Sequence, residues 1–250
     1  MLEIVVTVAG YNSTNRWTDG LNIPGEATGE RFAKPDSKHD FSTFKTPTSA
    51  KYADLVSSVA PLEQGAKKPT PPIFVPRPKL ESREQVEAAW KDAAARTPVL
   101  PLADGTGPNW ERVLSVFPRT TGSRISGIKA AAEKGLVPAR IQAEIAWAAA
   151  REDRAWYALA LARDRLKGLG FTDDQIFALD GDNKDLPEKE RLAVAFARKL
   201  TSAPATVTDA DVEGLRKVFE DRQVAEIVHH VCNAAFLNRV TEAAKLPLDK

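Results

Sequence analysis

The sequence predicts an all-α fold, and three observations carry that prediction. Apolar residues recur at helical spacing in segment after segment, as in Val224, Ile227, Val228, Val231 and Ala235. Capping boxes stand before several of these segments, in Ser82-Arg83-Glu84-Gln85 and Thr172-Asp173-Asp174-Gln175. No segment shows the strict apolar/polar alternation of a half-buried strand.

The elements follow in order. Residues 3–20 read as a helix stopped at Gly20, and 22–48, rich in Gly, Pro, Ser, Thr and Lys, as a long loop. A short helix over 50–60 points Tyr52, Leu55, Val56 and Val59 inward. Six prolines within 61–81 make an extended connector, because proline removes a donor and disfavours helix before it. Ser82 caps a helix that runs to about Arg96, and a Pro/Gly-rich loop covers 97–108. Helices are expected over 109–117, with Trp110, Val113 and Leu114 apolar, and over 121–134, with Gly135 as a left-handed cap. Pro138 suits the first position of a helix to about Ala150. After a tight break at Arg151-Glu152-Asp153-Arg154, a helix spans 155–169, and a short one runs from Thr172 to Leu179. Residues 187–201 are amphipathic, Thr208 opens a helix to about Phe219, and the last helix spans 221–245.

The composition bounds the function. At 250 residues, 43% hydrophobic and 28% charged, the chain is long enough to bury a core and has the balance of a soluble globular protein. Its net charge of +1, with bases and acids interspersed, gives no electrostatic case for nucleic acid or an anionic membrane surface. No apolar run approaches the roughly 18 residues a membrane span requires. Glu3 and the lack of a basic start argue against a secretory signal, so the Asn12-Ser13-Thr14 sequon is expected to be silent. One cysteine, Cys232, permits no internal disulfide and fits a reducing, cytoplasmic setting. Among apolar helix positions, it reads as a small buried hydrophobe or, alternatively, a reactive thiol.

The first and last helices align without gaps at an offset of 223, with eight identities in 22 positions. Glu3-Ile4-Val5 matches Glu226-Ile227-Val228, Asn15-Arg16 matches Asn238-Arg239, and Pro24 matches Pro247. Two amphipathic helices share apolar positions by chance, but seldom Asn-Arg at the same phase. Residues 1–48 are therefore expected to be a remnant of a first repeat, 49–108 a connector, and 109–250 a helical domain. Asn238 and Arg239 are expected to be structural, Arg on a carboxylate or helix C-terminus and Asn capping a carbonyl.

From about Trp110 to Leu248, half of the chain, the sequence resembles the carboxymuconolactone decarboxylase and alkylhydroperoxidase D-like (AhpD-like) family. The resemblance rests on the helix-break-helix ending in Gly170-Phe171-Thr172-Asp173-Asp174, on Glu190-Arg191-Leu192-Ala193-Val194-Ala195-Phe196-Ala197-Arg198 with its following Thr208-Asp209-Ala210-Asp211, and on the Asn238-Arg239 helix. It implies an AhpD-like helical bundle that assembles as a homo-oligomer, a trimer or hexamer. In the redox branch the second helix of the stretch opens with Cys-x-x-Cys-x-x-x-His, where a thiolate is the nucleophile. Counting back from Gly170, this chain has Ala155, Ala158 and Ala162 there. Dithiol peroxidase chemistry at these positions is excluded, since Cys232 is alone and on another helix. Another branch places a Tyr near the first position, which Tyr157 matches, and a His at the last, which is again Ala162.

Glu144 resembles the family's upstream glutamate, and in an Ala/Trp-rich helix its pKa could be raised toward acid–base work. The competing reading is a helix-surface carboxylate paired to Arg140 or Arg151. His229 and His230 are adjacent, so they point about 100° apart on a helix and cannot chelate one metal together; with His39 the only other histidine, no metal site is expected. Either is an acid–base candidate or a satisfied core histidine. Trp147 and Trp156 line a cavity or interface, or belong to the core. The run Asp180–Asp185 lacks the ligand order of a calcium loop and reads as solvated. No cofactor is implied. Three functions remain open: a non-redox enzyme or binding protein for a small molecule, an oligomeric interaction scaffold, or the second half of a two-repeat peroxidase-like enzyme.

Overall fold

The computed structural model describes residues 79–249. The expected helices over 3–20 and 50–60, the loop over 22–48, most of the proline-rich connector, His39 and the first copy of the repeat lie outside the described residues. Within them the chain is all-helical, with no strand. The elements are α1 (Arg83–Ala94), α2 (Asn109–Ser115), α3 (Pro118–Lys134), α4 (Ala139–Asp153), α5 (Trp156–Gly168), α6 (Asp173–Ala178), α7 (Glu188–Ser202), a 3-10 turn (Pro204–Thr206), α8 (Asp209–Arg216) and α9 (Asp221–Ala243).

Local chemistry sets the helix starts. The Ser82 N–H donates to Gln85 Oε1 at 2.8 Å, and the Thr172 N–H to Gln175 Oε1 at 2.9 Å. Asp211 plays the returning role for Thr208 at 2.7 Å, and Gln223 for Glu220 at 3.2 Å. Pro138 and Pro187 precede α4 and α7 as extended N-cap residues rather than occupying their first turns. Helix α3 begins at Pro118, three residues before the expected start, since a fixed φ suits a first helical position.

Gly135 corrects the sequence reading. It is extended (φ −71°, ψ 163°), not left-handed. It is glycine for space: a Cβ there would collide with the Ala131 carbonyl and the Glu226 carboxylate. Left-handed residues do end helices elsewhere, at Gly170 after α5, Lys245 after α9 and Arg154 (φ 53°) between α4 and α5, where the Ala155 N–H returns to Ala150 O at 3.0 Å. The break is therefore two residues wide, narrower than expected.

Helix α4 lies at the centre and packs along α5, α7 and α9. Three apolar clusters surround it. Ile141 and Ile145 meet Val194, Leu200, Ile227 and Val231 from α7 and α9. Trp147 meets Trp90, Leu159, Leu166 and Ile176 from α1, α5 and α6. Trp110, Leu114, Tyr157, Phe236 and Val240 join α2 to the start of α5 and the end of α9. The Asn238-Arg239 pair ties α9 to the end of α4: both side chains donate to Asp153 Oδ2, at 3.0 and 3.3 Å. Arg239 thus meets a carboxylate as expected, while Asn238 binds that carboxylate rather than a carbonyl. Cys232 is buried in the first cluster.

Candidate functional site

Glu144 and Arg140 stand one turn apart on the face of α4 that looks toward α7. The Glu144 side chain is fully buried. Arg140 donates through Nε to Glu144 Oε1 at 3.3 Å and reaches Glu190 Oε2 at 2.9 Å. Glu190 belongs to the first turn of α7. Burial, then the neighbouring Glu190 charge, push the Glu144 carboxyl up to about 8, against the opposing pull of Arg140. Two carboxyls and one guanidinium therefore hold one extra proton at neutral pH. With that proton the Glu144 carboxyl hydrogen-bonds Glu190. The Arg140 guanidinium stacks on Phe171 at 4.5 Å, and a cavity of about 80 Å³ opens between Arg140, Gly170, Phe171 and Gln175. Pairing to Arg140 is thus found, but on a buried carboxyl rather than on a helix surface.

Arg151 has other partners. Its Nε donates to Asp180 Oδ2 at 2.8 Å and an Nη to Glu81 O at 2.6 Å, while Trp147 Nε1 donates to Asp180 Oδ1 at 2.9 Å. Asp180 is therefore a half-buried node at the start of a loop whose Asp182, Lys184 and Asp185 are exposed as expected; burial raises its pKa and Arg151 opposes the rise. Trp147 packs edge-on against Trp90 and Phe177 in the core, and Trp90 Nε1 donates to Trp156 O at 3.1 Å. These aromatics hold α1, α4, α5 and α6 together.

Ala155, Ala158 and Ala162 run along one side of α5 from its N-cap. Ala155 and Ala162 are buried within the Trp90–Trp147 cluster, and Ala158, half-buried, packs against it. The cavities at Arg140, beside Tyr157, and along α4 and α5 are lined by other residues. The Tyr157 N–H in the first turn donates to Glu242 Oε1 at 3.3 Å, and Glu242 pairs with Arg96 at 2.9 Å. A carboxylate from α9 thus serves this helix N-terminus.

Tyr157 is not brought to Glu144. Its hydroxyl donates to Asp249 Oδ2 at 2.6 Å and accepts the Trp110 N–H at 3.1 Å. Burial first, then the Asp249 bond, raises its pKa far above the phenol range, so it stays protonated. His230 bonds Glu226 at 3.3 Å, and Glu226 also accepts the Leu136 and Val137 N–H groups at 2.7 and 3.2 Å. Burial lowers the pKa of both histidines; Arg124 adds to the effect at His229, while Glu226 opposes it at His230. The two rings lie 6.3 Å apart at 64°. Among the described residues no three His, Cys, Asp or Glu side chains converge as a metal-binding group.

Of the sequence candidates, Glu144 is the one set between a second carboxyl and an arginine that borders a cavity. Its partner Glu190 was read as part of a helical run. The Arg140–Glu144 spacing was the available signal, but nothing local to Glu190 says which helix its carboxyl faces.

Comparison with protein-family models and with curated protein sequences returns no match. Solved structures do match. The debrominase Bmp8, solved alone and in variant form with 2,3,4-tribromopyrrole, superposes with a TM-score of 0.52 at 17% identity, over 68% of this chain and 90% of that one. An uncharacterized peroxidase-related protein from Silicibacter sp. TM1040 superposes with a TM-score of 0.51 at 19% identity, over 73% of this chain and 94% of that one. At such identities the likeness is one of fold: the described chain is an all-α bundle that resembles AhpD-like, peroxidase-related proteins.

Proposed function

We propose that this chain uses an AhpD-like scaffold, stripped of its thiol centre, for non-redox acid–base chemistry on a small molecule, with Glu144 as the proton-carrying group. One observation carries the reading: a fully buried carboxyl, protonated at neutral pH, lies against a second carboxyl and an arginine that borders a cavity. A carboxyl poised near neutrality can both give and take a proton. Arg140 would orient an anionic or carbonyl group of the substrate, and Glu190 would set the proton affinity of Glu144. Tyr157, His229 and His230 are assigned no proton transfer, because each is committed to a partner or to another region.

The debrominase and peroxidase descriptions of the structural neighbours do not transfer to a helix α5 that carries alanine at positions 155, 158 and 162. The packing of those alanines favours a second reading, an assembly scaffold with no turnover, in which the chain forms a homo-oligomer through its helices. The test is peroxide consumption and disulfide reduction by the native chain beside the Ala155→Cys/Ala158→Cys/Ala162→His variant. The native chain should be silent in both assays. Thiol-peroxidase activity in it would overturn the reading. For the acid–base assignment, Glu144→Gln should abolish any turnover found in a substrate screen; a screen hit untouched by that change would remove Glu144 from the mechanism.

A further inference from the structure

We propose that the pocket between α1, the first half of α5 and the segment after α9 binds a small primary amine, with Asp249 accepting its ammonium group. The pocket encloses about 140 Å³; Trp90, Tyr157, Leu161 and Leu248 wall it, and Asp164 and Asp249 bring carboxylates to its lining. It shares no lining residue with the cavity at Arg140, so it is independent of the acid–base reading.

The walls belong to the core. Trp90 is 7% exposed and Tyr157 2%. Trp90 Nε1 donates to Trp156 O at 3.1 Å, and the Tyr157 hydroxyl is held between the Trp110 N–H and Asp249, so both rings have their polar atoms committed and offer the pocket aromatic surface. Asp249 is fixed as well: one carboxylate oxygen accepts the Asn109 N–H at 2.8 Å and the other the Tyr157 hydroxyl at 2.6 Å. Both donors are neutral, so they orient the carboxylate and leave its charge unbalanced. Among the described residues no lysine or arginine stands within ion-pair distance of Asp249 or Asp164. Arg163, the one cation in the lining, pairs with Asp173 at 2.7 Å and lies over the Trp90 ring.

These features set the ligand class. Each carboxylate oxygen has room for a second donor, and an ammonium makes a charge-assisted bond there, roughly twice as strong as a neutral one. Aromatic faces also attract a cation, as the Arg163 guanidinium 4.9 Å from the Trp90 ring centroid illustrates. An anion would meet two carboxylates. A hard metal ion would find two where it needs about six oxygen ligands, and no third His, Cys, Asp or Glu joins them among the described residues. An alkyl body of a few carbons completes the fit against Leu161 and Leu248. A longer body has room to continue, since the pocket shares Leu248 and Asp249 with a groove of about 1,000 Å³ that reaches Pro98 and Leu102.

The test is an amide NMR titration of the full chain at pH 7 with butylamine, and with 1-butanol and butyrate as neutral and anionic controls. Butylamine should shift the amides of 157–164 and 248–249 to saturation, with both controls at least about tenfold weaker, the factor a charge-assisted hydrogen bond supplies. Asp249→Asn keeps an oxygen for the Asn109 N–H and should weaken butylamine about tenfold. Ala160→Leu fills the pocket, keeps both charges and should abolish saturation, while Asp185→Asn, at an exposed acid elsewhere, should change nothing. The dispersion of each amide spectrum confirms that the variants are folded. The proposal is overturned if butylamine does not saturate below about 10 mM, a binding energy too small for a specific site. Equal binding of 1-butanol overturns it, as does native affinity in Asp249→Asn or Ala160→Leu. Unsaturable shifts spread over exposed carboxylates throughout the chain overturn it too, since that is nonspecific ion pairing.

Discussion

At the scale of the residue, Glu144 decides most. Its folded pKa of about 8 lies above the ordinary glutamate value of 4.5. Between those two pH values the folded protein holds more protons than the unfolded chain, so its stability is full below pH 4.5 and falls as pH rises toward 8. Glu144→Gln keeps the shape and cannot ionise. Its stability should be flat where the native chain declines, and above pH 8 the variant should be the more stable, by on the order of 2 kcal/mol. Urea denaturation at pH 5 and pH 8.5 reads this directly; a native slope that survives in the variant would assign the proton elsewhere. The Glu144 reading shows how much of the site was legible. The residue, its upstream position and its i,i+4 arginine were in the sequence. Its burial was not, because burial depends on α7 crossing α4 at Arg140, and Glu190 reads locally like any acid in a first helical turn. Asp180 was misjudged for the same reason. In an acidic loop sequence it looks solvated, and only the fold sets it between Trp147 and Arg151.

At the scale of the element, most helices were legible because their signals are local: capping side chains three residues apart, prolines at starts, and apolar stripes of period 3.6. Gly135 failed because its reason is not local. A glycine after a helix suggests a left-handed cap, yet here the chain stays extended and passes against α9. The Glu226 carboxylate accepts the Leu136 and Val137 N–H groups across that narrow gap, clamping the α3–α4 loop onto α9. Gly135→Ala puts a methyl group into the Ala131 carbonyl and into this clamp. The backbone cannot yield cheaply on the helix side, so a loss of about 1–3 kcal/mol is expected. The denaturant midpoint should fall with an unchanged slope. An unperturbed midpoint would mean that the loop can lift and that the Glu226 clamp contributes little. The Arg154 break shows the converse case: a left-handed arginine gives no glycine-like signal, and an ion pair to Glu81 accompanies it.

At the scale of the whole molecule, the three apolar clusters are joined by α4 and α9, and the segment after α9 completes the second and third. Leu248 packs against both of those clusters. Asp249 accepts the Asn109 N–H at 2.8 Å at the start of α2 and the Tyr157 hydroxyl at 2.6 Å, while Asn109 Nδ2 donates to Pro247 O at 3.2 Å. Helix α2 has only seven residues and no side-chain cap of its own, since its N-cap is Pro108. A helix that short is marginal alone, and its N-terminal amides need acceptors. The Asp249 carboxylate supplies one from 140 residues away in sequence, and its charge favours the positive end of the helix. Tyr157, a natural catalytic candidate on sequence alone, is held protonated first by burial and then by this carboxylate, beneath which its hydroxyl is the strut. Asp249→Ala should therefore loosen α2 selectively. Amide hydrogen exchange over 109–114 should quicken about tenfold or more, as expected for loss of charge-assisted hydrogen bonds worth about 1.5–3 kcal/mol. Exchange in α4, α7 and the first half of α9 should change little, because their cluster of Ile141, Ile145, Val194 and Val231 does not include this corner. Uniform quickening across all helices would instead mean that α2 and the terminal segment fold and unfold with the whole bundle, and that Asp249 supports the entire core rather than one helix.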